Sequence, residues 1–142
     1  MSIGFQTTRR VEFSDTDMAG LSHFSTFVRM MESVEHELLR SLGTSVVVYQ
    51  DDGATVSWPR VSVQCDFLAP AYFEDVLDVA VSVEKLGRSS LVLRYAFSRD
   101  GAAIAKGRMA TVCCSISPAE GFESTEIPTA LREQLRRLMD KE

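Results

Sequence analysis

Residues 24–42 read FSTFVRMMESVEHELLRSL, and the spacing of their apolar members decides the architecture. Phe24, Phe27, Val28, Met31, Val34, Leu38, Leu39 and Leu42 recur at helical intervals. This puts one apolar stripe along about five turns of α-helix. Gly43 follows at once, where a left-handed residue ends a helix without side-chain conflict. At the other end, Ser22 or Ser25 is expected to cap the start, because a short hydroxyl satisfies an orphan amide there. A stripe this long needs a broad apolar partner, so the helix is expected to lie wrapped in a sheet.

The flanking sequence supplies that sheet. FQTTRRVEF (5–13) alternates modestly and reads as a short first strand ending at Phe13. Beyond the helix, Ala54 to Ser117 reads as strands. VSVQCDFLAPA alternates, VLDVAVSVEKL sets Val79, Val81 and Val83 on one face, and SSLVLRYAFS does the same with Leu91, Leu93, Tyr95 and Phe97. AIAKGRMATVCCSI completes the set. Asp100–Gly101 within RDGAA is a tight-hairpin signal, Gly87 is assigned similar work between the middle strands, and Pro59 marks an irregularity or an edge. A last helix is expected from about Pro128 to Asp140. The order predicts one α+β domain over residues 1–142: a long central helix wrapped by a curved antiparallel sheet of about five strands, plus a C-terminal helix. The uncovered face, with Asp78, Ser82 and Glu84, would meet water or another subunit.

Bulk composition narrows the function. The chain has 142 residues, 45% hydrophobic and 25% charged, enough for a single core without staples. A net charge of −5 argues against nucleic acid as a partner. No apolar run is long enough to cross a membrane and MSIGFQTTRRVEF lacks a signal-peptide core, so a cytoplasmic protein is expected. Three cysteines (Cys65, Cys113 and Cys114) and two histidines offer neither a disulfide framework nor a promising zinc set, so no metal site is expected. The cysteines read as small core residues.

Chemistry concentrates just before the helix, in FSDTDMAGLSHF (13–24). Two acids two residues apart, then a glycine, could be a solvated turn. They could equally present a carboxylate beside a helix N-terminus, whose open amides and dipole suit an anionic oxygen. Asp15 fits the first role, holding the loop by accepting backbone hydrogen bonds.

That motif, with FLAPAYFEDVLDV (67–79) and LGRSSLVLRYAFSR (86–99), resembles the hotdog-fold acyl-CoA thioesterases, in particular the 4-hydroxybenzoyl-CoA thioesterase family. The matching positions are Phe13, Asp15, Asp17, Gly20, Leu21 and Phe24. The resemblance implies a hotdog fold that hydrolyses acyl-CoA, with no metal or redox cofactor because coenzyme A is part of the substrate. It also implies a homodimer or homotetramer with active sites between subunits. Asp17 takes the place of the catalytic carboxylate, as nucleophile or general base. The oxyanion-stabilising amide falls near His23 and Phe24, and Gly20 allows the bend beside the thioester. Arg88 matches the family's basic position on the strand turn that helps hold CoA phosphates; with Ser89 and Ser90 it could bind phosphate by charge and backbone amides, or the segment could be a solvated turn.

Other residues keep two readings. Ser22, His23 and Phe24 stand where relatives carry a valine and tyrosines, so His23 is either a general acid/base or a pocket-lining side chain. Trp58 could line the acyl pocket or fill core or interface space. Glu35 sits mid-stripe, where a carboxylate needs a partner. It reads as a buried acid paired across a subunit interface. Because a related branch places its catalytic carboxylate on this helix, Glu35 or Glu32 could instead be a supplementary acid. Two rival functions remain: a hotdog hydratase-dehydratase, whose acid and histidine stand one residue closer than Asp17 and His23, and a non-catalytic acyl-CoA binding module.

Overall fold

The computed structural model describes residues 4–139. It runs β1 (Phe5–Arg10), a short 3-10 turn (Phe13–Asp15), α1 (Phe24–Ser41), β2 (Val48–Tyr49), β3 (Thr55–Ser57) and β4 (Arg60–Phe67). Then come β5 (Val76–Leu86), β6 (Ser90–Arg99), β7 (Ala102–Val112), β8 (Cys114–Ser117), β9 (Gly121–Ser124) and α2 (Thr129–Arg136). The main sheet is antiparallel with order β1-β5-β6-β7-β4. This is the hotdog arrangement expected from the sequence.

The helix buries Phe27, Met30, Met31, Val34, Leu38 and Leu39 against Val79, Val81, Leu93, Phe97 and Met109. Contact is close at Gly107 of β7, where a Cβ would stand 2.2 Å from Met31 Sδ. Phe24, although it opens the stripe, is 66% exposed. The helix ends in the expected glycine motif: Gly43 has φ +83, its N–H donates to Arg40 O, and Thr44 N–H donates to Leu39 O. Asp100 and Gly101 both have positive φ, as a two-residue hairpin requires.

Several expectations are corrected. The first strand stops at Arg10 and gives way to the 3-10 turn. Gly87 has no left-handed backbone; a Cβ there would press on Ser90 Oγ at 2.3 Å. The strand pair β4/β7 is broken at Trp58–Pro59 and at Cys113, and β3 and β8 pair beyond the break in a small second sheet of order β2-β3-β8-β9. The last helix is shorter than expected, Thr129–Arg136, and Asp140 lies outside the described residues. The cysteines, by contrast, lie where core residues were expected: Cys113 and Cys114 are buried, and Cys65 is half-buried against the core.

Glu35 is 2% exposed, but its partner belongs to the same chain rather than to a neighbouring subunit. Arg60, at the start of β4, grips both carboxylate oxygens at 2.5 and 2.9 Å and also donates to Trp58 O. Burial still raises the Glu35 carboxyl above its ordinary value, outweighing the opposing pull of Arg60. Arg60→Ala strands this acid, so a loss of about 3 kcal/mol in urea unfolding is expected. Because the folded-state pKa is raised, Glu35 contributes stability that is complete below the unfolded value and lost as pH rises through the folded one. The difference in unfolding free energy between wild type and Glu35→Gln should therefore fall as pH climbs above 4.5; a flat difference would contradict it.

Candidate active site

The segment between the 3-10 turn and α1 folds into a miniature hairpin. Asp17 N–H donates to Leu21 O at 2.8 Å, His23 N–H donates to Asp15 O at 2.7 Å, and Thr16 lies opposite Ser22. A rise of about 3.3 Å per residue puts Asp17 roughly 7 Å along from the Asp15–His23 pair. The tip is a turn closed by Gly20 N–H to Asp17 O at 3.0 Å, with Gly20 at φ +81. Asp17 Oδ1 accepts from Ala19 N–H (2.9 Å) and Leu21 N–H (3.2 Å). Its second oxygen, Oδ2, has no partner among the described residues, and the residue is exposed. One Asp17 oxygen thus shapes the turn, and the other is left without a partner among the described residues.

Asp15 does the anchoring. Its carboxylate accepts Glu12 N–H at 2.8 Å, and its main-chain oxygen accepts both His23 N–H and Thr26 Oγ1. A second strap holds the other arm of the hairpin. Ser22 N–H donates to Ala71 O at 2.7 Å and Leu21 bridges to Tyr72. Tyr72 N–H in turn donates to Asp75 Oδ2, which Arg99 also holds while reaching Pro70 O. Sequence reasoning missed Arg99 and Asp75 as site supports. The one trace was the acid after the proline in FLAPAYFEDVLDV.

The helix cap is neither of the expected serines. His23 occupies the position, with Nδ1 accepting from Ser25 N–H at 3.2 Å and lying 2.9 Å from Ser25 Oγ. The imidazole stacks on Phe24 with ring centroids 4.4 Å apart. Ser22 Oγ is buried with no partner among the described residues.

The remaining site residues lie elsewhere in the chain. Arg88, Ser89 and Ser90 form the β5–β6 turn, where Arg132 donates to Gly87 O and Arg88 O. Helix α2, which carries Arg132, is also tied by Gln134 to Leu42 O at the C-terminal end of α1, whereas Asp17 precedes the N-terminal end. A helix of this length separates the two by about 27 Å within one chain. Trp58 is 5% exposed and packed in the core. A hollow of about 550 Å³ is lined by Gln64, Asp66, Ser82, Arg94, Lys106 and Arg108, on the outer sheet face away from Asp17. No helix among the described residues is long and apolar enough to cross a membrane.

At Gly20 an added Cβ meets nothing within 4 Å, so the strain of Gly20→Ala is confined to the backbone. Thermal unfolding should show a loss of about 1 kcal/mol, the ordinary penalty of a left-handed alanine. A much larger loss would mean that the hairpin tip carries packing not seen here.

Comparison with known proteins bears on this geometry. The thioesterase superfamily model matches residues 19–105, a span that opens just past Asp17 and takes in α1 and most of the main sheet. A putative esterase of Aquifex aeolicus is 32% identical over 98 residues, 69% of this chain and 75% of its own. A 1,4-dihydroxy-2-naphthoyl-CoA hydrolase of Synechococcus elongatus is 23% identical over 132 residues, 93% of this chain and 95% of its own. Among solved structures, a 1,4-dihydroxy-2-naphthoyl-CoA thioesterase from Synechocystis superposes with a TM-score of 0.79 at 25% identity, covering 93% of this chain and 95% of that one. With the family match spanning more than half its length, the chain belongs to the thioesterase superfamily.

Proposed function

We propose that this thioesterase hydrolyses an aromatic or short-to-medium acyl-CoA to the free acid and CoA, with Asp17 as nucleophile or as the base that activates water. The observation that carries the reading is a pair of unused groups, one on the short hairpin and one at the start of the helix that follows it. Asp17 Oδ2 and the Phe24 N–H both lack partners among the described residues, and a thioester carbonyl needs an attacking side and an oxyanion-binding side. The hydroxynaphthoyl substrates named for the two relatives above favour the aromatic end of the range. Coenzyme A enters as part of the substrate, and no other cofactor is assigned.

A second copy of the chain is the proposed partner. Strand β4 is an open edge of the main sheet, and Val61, Val63 and Phe67 along it are 65%, 48% and 53% exposed. Antiparallel pairing of two such edges reverses the second copy end for end. Its Arg88–Ser90 turn then approaches the Asp17 end of the first, the geometry needed for Arg88, Ser89 and Ser90 to hold CoA phosphates. Sedimentation should report a dimer or larger assembly, and Val63→Lys should weaken it. A monomeric wild type would overturn the pairing.

The decisive test of function is free-thiol release from benzoyl, 4-hydroxybenzoyl, and short and long aliphatic CoA esters. Asp17→Asn keeps a side-chain oxygen for the turn but loses the carboxylate, so turnover should drop by about 10²–10⁴-fold with the fold intact. Turnover undiminished in Asp17→Asn would remove Asp17 from the chemistry. Binding of CoA esters without any turnover would make the protein a binding module.

A further inference from the structure

The first turn of α1 has little left to offer an oxyanion. His23 N–H is taken by Asp15 O, Ser25 N–H by the His23 ring, and Thr26 N–H by His23 O at 2.9 Å. The Phe24 N–H is the one donor of this turn with no partner among the described residues. An oxygen that becomes anionic is held best by more than one preorganised donor. Among the described residues, the start of α1 supplies one such backbone donor.

The His23 ring supplies another. A backbone N–H can only donate, so the contact from Ser25 N–H requires a lone pair on Nδ1. Arg29 donates to Ser25 Oγ at 2.6 Å, which leaves the serine proton free to point at the same nitrogen. The neutral ring therefore carries its proton on Nε2, across the ring from the cap, and Nε2 has no partner among the described residues. The imidazole is further restrained by the Phe24 ring, whose centroid lies 4.4 Å away.

We propose that His23 is a catalytic residue acting as a neutral hydrogen-bond donor: its Nε2–H and the Phe24 N–H together hold the thioester oxygen as it becomes anionic. This rests on the thioesterase reading above and deepens it. The imidazole neither gains nor loses a proton. The carbonyl oxygen takes up the electron pair when the attacking oxygen bonds to carbon, and it returns that pair when the C–S bond breaks and CoA leaves as thiolate. The same nitrogen that caps the helix through Nδ1 sets the tautomer, so one side chain ends the hairpin, starts the helix and aims a donor.

His23→Asn separates the two roles. Asparagine is among the best helix caps, so its side-chain oxygen replaces Nδ1, but its short amide does not reproduce the outward Nε2–H. The thermal midpoint should hold, KM should stay close to wild type, and kcat should drop by about 10²-fold. Wild-type kcat in a folded His23→Asn would reduce His23 to a cap and overturn the proposal. Nitrogen-15 NMR of the imidazoles in the unsubstituted protein gives a second test that needs no variant: the neutral His23 ring should show the proton on Nε2, and a proton on Nδ1 would overturn the proposal whatever the variant does. A wild type that releases no thiol from any CoA ester defeats the thioesterase reading and the proposal with it. Normal turnover in His23→Asn defeats the proposal alone.

Discussion

The main-chain oxygen of Asp15 accepts two hydrogen bonds from the cap and first turn of α1, from His23 N–H at 2.7 Å and from Thr26 Oγ1 at 2.9 Å. These two contacts join the loop that carries Asp17 to the helix that carries the open amide. They hold the exposed acid and the open amide within one connected segment. Asp15 closes the 3-10 turn and Asp17 begins the hairpin tip, with Thr16 between them paired to Ser22. The two acids divide the labour, one tying the loop down and the other exposed.

Rigidity behind this hairpin comes from the packing of helix on sheet. Gly107 lets Met31 lie almost on the backbone of β7, and Phe27 meets Phe97 edge-on at 5.3 Å. Glu35 is the exception within that apolar contact, and its grip on Arg60 ties the middle of the helix to the start of the open edge strand β4. A buried ion pair is an inefficient way to gain stability, because desolvation offsets much of the attraction. Its effect here is positional: it fixes the strand on which self-association is proposed to depend.

Much of this was legible in the sequence because one face of each element is buried. The helix announced itself through the stripe from Phe27 to Leu42, the strands through Val79–Val83 and Leu91–Phe97, and the β6–β7 turn through Asp100–Gly101. What escaped depends on contacts between distant residues or on backbone course. Glu35 declared that it needed a partner, but nothing local named Arg60, twenty-five positions away. The cap was misread because serine outranks histidine on intrinsic grounds; the hairpin register, which delivers His23 to the cap position, is set by Asp15 and Ala71. The break of β3 from β4 had a visible sign in Pro59, yet the small sheet built beyond it had none.

The central claim is spatial: the reacting thioester sits at the junction of the Asp17 hairpin and the start of α1. The most direct measurement is a crystal structure with a non-hydrolysable CoA thioether or ketone analogue of an aromatic acyl-CoA. The account predicts the carbonyl oxygen, or its equivalent, within hydrogen-bond distance of Phe24 N–H, with Asp17 Oδ2 facing the carbonyl carbon. An analogue seated instead in the hollow of the outer sheet face, with the Phe24 amide and the Asp17 carboxylate left untouched, would contradict it.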